Sequence, residues 1–235
     1  MKLHSLIAAT LLCLASSSQA ALIHQFNLNG SLKDSITDTS LEHFGGKFVD
    51  NQYVFAANQG LKLGTRLGAE YTIDLSFHFD DFRSYGRILE FGNLARENGL
   101  YAESDRFRLY SYGKTGGDLT KDVNSRMTVT RNTQGVFTVY QDGVQVLSVN
   151  DVDGVADFGT NPAHFFRDNT SGSYTGEANA GAVDYIRVYS TALTQAEVLA
   201  LPTPPAADLP EPASLGLLGA GLALVGWTRR RQRAA

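Results

Sequence analysis

Residues 71–79 read YTIDLSFHF, and this stretch decides the fold. Its large apolar side chains recur at every second position, from Tyr71 through Ile73 and Leu75 to Phe79, with polar residues between them. A period of two places each set on its own face of an extended strand, which is the pattern of a half-buried β-strand. The stretch therefore predicts a strand with one face toward a core and the other toward solvent.

Similar alternation on both sides of this stretch predicts further strands. It recurs, less regularly, over residues 22–28, 47–55, 87–91, 106–112, 126–131 and 183–189. Residues 136–141 and 144–149 flank Asp142-Gly143, a pair that two-residue hairpin turns prefer because both positions need positive φ. Thr194 and Glu197 have the spacing of a capping box and predict one short helix over 194–201. About ten antiparallel strands predict an all-β, two-sheet antiparallel sandwich or jelly roll.

The N-terminus predicts an export signal over residues 1–20. A lysine at position 2 precedes an apolar run over 6–15, and a small-x-small pattern ends at Ala20, so signal peptidase is expected to cut after Ala20 or Ala21. A short buried helix is the alternative interpretation. The chain's single cysteine, Cys13, lies inside this segment, so the mature chain has no disulfide and no cysteine metal site.

The C-terminus carries three features in a fixed order. A Pro-Glu-Pro triplet is followed by an uncharged segment over 213–227 and then by clustered arginines. These residues are Pro210, Glu211 and Pro212, then Trp227 at the segment's end, then Arg229, Arg230, Arg231 and Arg233. A helix over 213–227 extends about 22 Å, and an interfacial tryptophan and snorkelling arginines help so short a helix to span a membrane. We predict a transmembrane helix with its arginines in the cytoplasm and the domain outside.

This order resembles the PEP-CTERM sorting signal of Gram-negative bacteria. The resemblance implies recognition by an exosortase, which cuts near the motif and transfers the protein to the cell surface, outer membrane or extracellular matrix. An ordinary tail anchor is the alternative, and it also places the domain outside the cytoplasm. The predicted organisation is a signal peptide (1–20), a β domain (22–201), a Pro/Ala-rich linker (202–209) and a sorting signal (210–235).

The charge of the β domain excludes one class of partner. The chain has 20 basic and 24 acidic residues, and setting aside Lys2, Glu211 and the four terminal arginines leaves 15 and 23. A domain with a net charge near −8 does not suit nucleic acid, whose phosphates require a basic surface. It is compatible with a divalent cation or a neutral glycan.

Four segments of the domain, in order, resemble the laminin-G-like, concanavalin A-like jelly roll of many bacterial surface proteins. They are FNLNGSLKD at 26–34, the strand at 71–77, the hairpin segments MTVTR at 127–131 and VYQDG at 139–143, and GAVDYIRVY at 181–189 with the residues that begin the helix. The similarity covers residues 22–201. The stretch FFRDN at 165–169, with Glu177, further resembles a subgroup that often carries PEP-CTERM tails.

The sequence offers no convincing catalytic site. Enzymes on the fold that this chain resembles hydrolyse glycans with paired carboxylates on one strand, commonly as E-x-D-x-x-E. The nearest match is Glu103-Ser104-Asp105, but Arg108 stands where the third acid is expected, and the segment indicates a loop that enters a strand. The histidines lack metal-ligand spacing and no G-x-S-x-G elbow occurs. We therefore predict a protein that is not an enzyme, with a glycan-cleaving enzyme as the alternative.

Two acidic loops are candidate calcium sites. Residues 150–154 contain Asp151 and Asp153, with Asp157 nearby, and these supply hard oxygen ligands in a turn-prone segment. Asp168 and Glu177 belong to a second acidic loop. The fold resemblance also implies a structural calcium near one rim. Solvated Asp-rich turns are the alternative for either loop.

Four tyrosines are candidate sugar-binding residues, namely Tyr85, Tyr101, Tyr110 and Tyr112. Sugar binding needs exposed aromatic faces flanked by polar groups, although tyrosines are also ordinary strand formers. The predicted function is a surface-displayed, non-catalytic laminin-G-like domain that acts in adhesion or matrix organisation by binding extracellular polysaccharide. A purely structural matrix protein remains a further alternative, and the prediction depends on fold analogy.

Overall fold

The structure is a computed structural model that describes residues 20–95, 97, 99–169 and 176–202. No helix in this described part is long and apolar enough to cross a membrane. The predicted transmembrane segment, the sorting motif and nearly all of the export signal lie outside the described residues. Ala20 and Ala21 are described, and the backbone of Ala21 forms hydrogen bonds with Ser190.

Fifteen strands and one helix make up the described chain. The strands of the first half are β1 (Leu22–Phe26), β2 (Glu42–His43), β3 (Lys47–Val49), β4 (Gln52–Phe55), β5 (Leu61–Leu63), β6 (Tyr71–Phe79), β7 (Gly86–Glu90) and β8 (Gly99–Glu103). The second half contains β9 (Arg106–Leu109), β10 (Thr115–Gly116), β11 (Ser125–Arg131), β12 (Val136–Gln141), β13 (Val144–Asn150), β14 (Ala163–Phe165), β15 (Gly181–Tyr189) and α1 (Gln195–Ala200).

All strand pairs are antiparallel, and they form two sheets. The eight-stranded sheet has the order β13-β12-β11-β6-β15-β4-β3, with β1 also paired to β15. The seven-stranded sheet has the order β10-β9-β8-β7-β14-β5-β2. The inner faces of the two sheets pack on each other and form one hydrophobic core. The predicted all-β, two-sheet antiparallel sandwich is confirmed.

The central strand β6 begins and ends where the alternation predicts. Ile73, Leu75 and Phe77 are fully buried in the core. The prediction that the other face of β6 meets solvent is wrong, because Thr72 and Asp74 are fully buried too. The Thr72 hydroxyl donates to the Thr191 carbonyl at 2.8 Å, so the segment before α1 covers this face.

Three predicted strands are shorter than their sequence patterns. The stretch 22–28 forms β1 only as far as Phe26. The stretch 47–55 is a hairpin, β3 and β4, whose turn residues Asp50 and Asn51 have positive φ. The stretch 106–112 leaves the sheet after Leu109, so the tyrosines that follow lie in a turn. Asp142 and Gly143 both have positive φ and join β12 to β13, which confirms the predicted hairpin.

Helix α1 packs on the outer face of the eight-stranded sheet. The Thr194 side chain accepts from the Glu197 backbone amide, and the Glu197 carboxylate accepts from Thr194, so the predicted capping box is present. Beneath the helix, a small cluster contains Tyr140, Tyr189, Leu193 and Val198, with Ala20, Leu22 and Leu201 against it. Both ends of the described chain therefore lie on this outer face.

Candidate functional site

The outer face of the seven-stranded sheet carries a row of long polar side chains across three strands. Arg87 on β7 lies opposite Tyr101 on β8, and Tyr101 lies opposite Arg108 on β9. Their strand neighbours Leu100 and Phe107 point into the core. Because side chains alternate along a strand, the three residues of the row point outward together.

One end of this row is open to solvent. We name Tyr85, Glu103, Arg108 and Tyr110, which are all partly exposed, the platform. Nη1 of Arg108 lies 2.8 Å from both carboxylate oxygens of Glu103, and the Tyr85 hydroxyl donates to Glu103 at 2.9 Å. The Arg108 guanidinium lies 5.8 Å from the Tyr85 ring centroid. The platform thus presents two aromatic rings beside a fixed carboxylate and a fixed guanidinium.

Hydrogen bonds set the protonation of the platform. The bond from Arg108 lowers the pKa of the Glu103 carboxyl, although partial burial opposes this. The bond to Glu103 raises the pKa of the Tyr85 phenol. At neutral pH, Glu103 is therefore a carboxylate and Tyr85 a neutral hydrogen-bond donor. A carboxylate held this way accepts hydrogen bonds and does not deliver a proton.

The other end of the row is a buried ionic cluster around Arg87. Nη2 of Arg87, a fully buried residue, lies 2.9 Å from Oε2 of Glu97 and 2.8 Å from Oδ1 of Asp168. The Tyr101 hydroxyl also contacts Nη2 and donates to Glu97 at 3.0 Å. Glu97, Asp168 and Glu177, which we name the acid cluster, each place one carboxylate oxygen within 4.8 Å of the others. The Arg87 guanidinium thus faces the acid cluster and, at 3.8 Å from Nη1, a fourth carboxylate, that of the fully buried Glu90.

A strained turn brings Asp168 to this cluster. Phe166 has φ of 57°, a left-handed conformation that a bulky residue adopts only when packing enforces it. The Phe166 ring is fully buried and stacks on Phe55 with centroids 4.5 Å apart. Asp168 then accepts from the backbone amide of Glu177 at 2.9 Å, which fixes the two acids side by side.

The acid cluster has the chemistry to hold a cation. Burial raises the pKa of Glu177, and repulsion from Glu97 and Asp168 raises it further. Carboxylate oxygens are the ligands that Ca²⁺ prefers. Asp168 and Glu177 were predicted from the sequence, and the fold brings them together. Glu97 was not predicted, because nothing in the loop between β7 and β8 indicates that it meets residues about 70 positions later.

The other predicted calcium ligands lie in a different loop. Asp151 is buried, forms a 2.9 Å ion pair with Arg131 and accepts from the amides of Val155 and Ala156 at 2.7 and 3.0 Å. These bonds organise the loop after β13. The remaining two also have partners within the protein. Asp153 accepts from the Tyr112 hydroxyl of the turn after β9 at 3.4 Å, and Asp157 accepts from the Gly159 amide of its own loop at 2.7 Å. The fold does not join these three acids to the acid cluster.

The four predicted tyrosines separate into three groups. Tyr85 and Tyr110 are partly exposed and belong to the platform. Tyr101 is fully buried, so it offers no open ring, but it supports the other two with centroid distances of 5.8 and 6.0 Å. Tyr112 lies away from them and donates to Asp151 at 2.9 Å. The turn after Leu109 removes Tyr112 from the expected strand face.

Glu103 and Asp105, the carboxylate pair that the sequence suggested, do not form a catalytic pair in the structure. Glu103 ends β8 and points to the platform, whereas Asp105 is an exposed residue of the tight turn before β9. The carbonyl of Asp105 accepts from the Leu119 amide at 2.7 Å. Arg108, at the position where a third acid was sought, is the ion-pair partner of Glu103.

Two family models match the chain. The model described as the Concanavalin A-like lectin/glucanases superfamily matches residues 50–199, and the PEP-CTERM protein-sorting motif matches residues 208–232. The second match confirms the predicted sorting signal and, with it, export and sorting to the surface or membrane. No curated protein sequence matches the chain.

Solved structures with the same fold share little sequence with the chain. A Trypanosoma rangeli sialidase mutant with trans-sialidase activity has a TM-score of 0.63 at 14% identity, over 76% of this chain and 32% of its own. Domain 4 of AbnA, a GH43 extracellular arabinanase from Geobacillus stearothermophilus, in complex with arabinotriose, has 0.59 at 15% identity, over 77% and 98%. The binding domain of Paraclostridial Mosquitocidal Protein 1 has 0.58 at 14% identity, over 76% and 51%. The chain thus spans about a third of the sialidase, and at these identities the similarity concerns the fold.

Proposed function

Because this chain belongs to the concanavalin A-like lectin/glucanases superfamily and ends in an exosortase sorting motif, we propose that it binds extracellular glycans without cleaving them. The binding surface is the outer face of the seven-stranded sheet. The protein acts in adhesion or in organising the extracellular matrix.

The observation that carries the proposal is the platform. Apolar faces of sugar rings stack on aromatic side chains, and sugar hydroxyls take paired hydrogen bonds from carboxylates and guanidinium groups. Tyr85 and Tyr110 supply the rings, and the pair Glu103–Arg108 supplies the acceptor and donor at 2.8 Å separation. All four side chains are partly exposed, so a ligand reaches them without rearranging the core. The arabinotriose-bound domain of similar fold supports a ligand of this chemistry.

The place where the described chain ends also supports the proposal. The described chain ends at Pro202, on the outer face of the eight-stranded sheet. The platform lies on the opposite side of the sandwich. A protein tethered through its C-terminus would therefore present the platform away from the tether.

The protonation of Glu103 argues for binding rather than hydrolysis. A glycosidase needs one carboxylic acid that is protonated and a second carboxylate beside the scissile bond. Glu103 stays ionised, and Asp105 is an exposed residue of the turn before β9. Burial raises the pKa of Glu177, an acid near the platform whose charge also influences Tyr85. Glu177 is the specific observation that favours the second candidate, a glycan-cleaving enzyme with Glu177 as its acid.

The test measures binding and cleavage of a polysaccharide panel by the purified full-length protein. We expect retention on at least one glycan, release of no reducing sugar, and at least tenfold weaker binding for Tyr85→Ala and Tyr110→Ala. A loss of that size corresponds to about 1.4 kcal/mol. Tyr112→Ala is the matched control, because it truncates a partly exposed tyrosine outside the platform.

Each other outcome contradicts the proposal in its own way. Sugar release that Glu177→Gln abolishes would establish the enzyme. Retention that Tyr85→Ala and Tyr112→Ala weaken equally would move binding away from the platform. Retention on no glycan would leave the purely structural matrix role.

A further inference from the structure

Arg167 differs from the other buried and partly buried arginines of the sandwich in its charge partners. Six arginines in the described part of the chain are buried or partly buried, namely Arg87, Arg108, Arg126, Arg131, Arg167 and Arg187. Five of them pair with a carboxylate, at distances between 2.8 and 3.6 Å. Arg167 has no such ion pair among the residues that the structure describes. A guanidinium withdrawn from water ordinarily needs an anion beside it.

Arg167 is nevertheless held in a fixed position. It directly follows Phe166, whose left-handed backbone turns the chain at the end of β14. Gly60 makes room for this turn, because a Cβ at that position would lie 1.9 Å from the Phe165 carbonyl oxygen and 2.9 Å from Cγ of Arg167. Cζ of the guanidinium lies over the Phe44 ring, 3.3 Å from its centroid. These contacts orient the guanidinium and bring no negative charge to it.

The hydrogen-bond partner of Arg167 is uncharged. Nη1 of Arg167 donates to Nδ1 of His164 at 3.2 Å, so the ring proton of His164 is on Nε2, which faces Oδ1 of Asn93 at 3.3 Å. Burial, with Arg167 and Lys62 nearby, lowers the pKa of His164 to about 4, and the imidazole is neutral at physiological pH. His164 therefore accepts a bond from Arg167 without balancing its charge.

The surroundings of Arg167 carry a local excess of positive charge. Lys62, on the neighbouring strand β5, pairs with Glu42 at 2.7 Å. One positive charge thus remains after this pair is counted. Burial lowers the pKa of Arg167, which marks a guanidinium that has lost water. On the same sheet face, the acid cluster carries three carboxylates around Arg87. The face is therefore cationic at the β14–β5 end and anionic in its middle.

We propose that Arg167 binds the carboxylate of an acidic sugar, so that the glycan recognised by this face contains uronic acid units. This inference rests on the proposed function and names the class of glycan. A guanidinium fork matches the planar geometry of a carboxylate, and the Phe44 ring keeps the fork from turning away. The nearby acid cluster repels a densely charged polymer, so the fitting ligand carries its carboxylates sparsely along a largely neutral chain.

The experiment compares three forms of one polymer, namely polygalacturonate that is unesterified, partly methyl-esterified and fully methyl-esterified. We expect the full-length protein to bind the partly esterified form at least fivefold more tightly than the fully esterified form at low salt. Arg167→Met should abolish this difference, since it keeps the apolar stem and removes the fork. Arg66→Met is the matched control, because Arg66 is exposed and its loss changes the net charge equally. Unchanged melting temperatures show that the variants remain folded.

A second readout does not depend on the polymer. The Arg167 Nε–H resonance is followed by NMR while sodium galacturonate, and separately its methyl ester, is added. We expect a shift with the free acid and none with the ester. No shift with either would overturn the inference, and Arg167 would then serve only to cover Phe44. Equal binding of all three polymers by the wild type and Arg167→Met, with loss for Tyr85→Ala, would refute this subsite and leave the proposed function standing.

Discussion

The two outer faces of the sandwich both contain fully buried charged side chains, and the chain balances these charges differently on the two faces. Asp74, on the eight-stranded sheet, lies 2.8 Å from Nε of Arg126 and 3.6 Å from Nη1 of Arg187. Those two arginines also donate to the carbonyls of Leu201 and Pro202, at 3.5 and 2.8 Å. The chain's own backbone thus accepts the surplus donors of this face.

On the outer face of the seven-stranded sheet, the buried cation is surrounded by an excess of carboxylates. This cation is Arg87, which faces the acid cluster and, at 3.8 Å, the carboxylate of Glu90, so this face holds more carboxylates than guanidinium groups around Arg87. At the other end of this face, Arg167 has no carboxylate partner in the described chain. Charged side chains that are paired within the protein stabilise the fold, whereas charged side chains without an oppositely charged partner are available to bind a ligand. We therefore expect the first face to stabilise the fold, and the second is the face on which we propose that the ligand binds.

The largest expected effect on stability would come from removing the negative charge of Asp74 on the eight-stranded sheet. Asp74→Asn keeps the side-chain shape but leaves two largely buried arginines without their anion. We expect the free energy of unfolding to fall by about 3–5 kcal/mol, measured by urea denaturation. Asp81→Asn is the control, since its 3.9 Å pair with Lys121 is exposed, and it should change stability by less than about 0.5 kcal/mol. Equal effects of the two substitutions would show that Asp74 does not hold this face.

The Asp74 network also marks the limit of what the sequence predicts. The alternation in 71–79 predicted the strand, its ends and its core face, because period two is a local property of the chain. The burial of Asp74 depends on Arg126, Arg187 and Pro202, which are 52 to 128 positions away along the chain. No local pattern indicates that these groups meet. The helix cap at Thr194 and the hairpin at Asp142-Gly143 were predictable for the same reason as the strand.

The candidate site was only partly predictable. Tyr85, Tyr110, Asp168 and Glu177 were identified because tyrosines and clustered acids are visible in one sequence. The role of Arg167 was not, since its significance lies in a missing partner, and a partner's absence requires the fold. Tyr112 was expected beside Tyr110 on one strand face, but β9 ends at Leu109.

The second prediction concerns His164, a neutral side chain on the outer face of the seven-stranded sheet. The pKa of His164 is lowered from 6.5 to about 4, so below pH 6.5 the unfolded chain binds a proton that the folded chain refuses. Stability is therefore complete above pH 6.5 and declines as the pH falls toward 4. Between pH 6.5 and 5 the expected loss is about 1.6 kcal/mol. Urea denaturation at the two pH values measures it.

The histidine is isolated by a pair of variants. His164→Asn should flatten the pH dependence by that amount, whereas His43→Asn, at an exposed position, should leave the wild-type slope. Identical slopes for the wild type and His164→Asn would mean that His164 takes up its proton in the folded protein and counts as a further cation on this face.

The third prediction tests the excess of carboxylates. If calcium neutralises the acid cluster, a Ca²⁺ concentration ten times the dissociation constant stabilises the fold by about 1.4 kcal/mol. We expect Ca²⁺ to raise the melting temperature of EDTA-treated protein, and Glu97→Gln to remove the response. Asp153→Asn should retain the response, because Asp153 belongs to the other acidic loop. A melting temperature and a calorimetric trace that do not respond to Ca²⁺ would leave Arg87 as the only cation of the cluster.

The smallest expected effect on stability comes from a substitution in the platform, and it tests the difference between the two outer faces most directly. Arg108→Met removes one partner of an ion pair whose side chains are 24% and 29% exposed, so water compensates Glu103 after the change. Unfolding free energy should fall by less than about 1 kcal/mol. The same substitution should weaken glycan retention at least tenfold, because Arg108 holds Glu103 for the ligand. A charge whose loss costs little stability but most of the binding is placed for a ligand, whereas Asp74 should show the reverse. A destabilisation of Arg108→Met as large as that of Asp74→Asn would instead make the platform part of the framework, and binding would have to be sought elsewhere on the sheet.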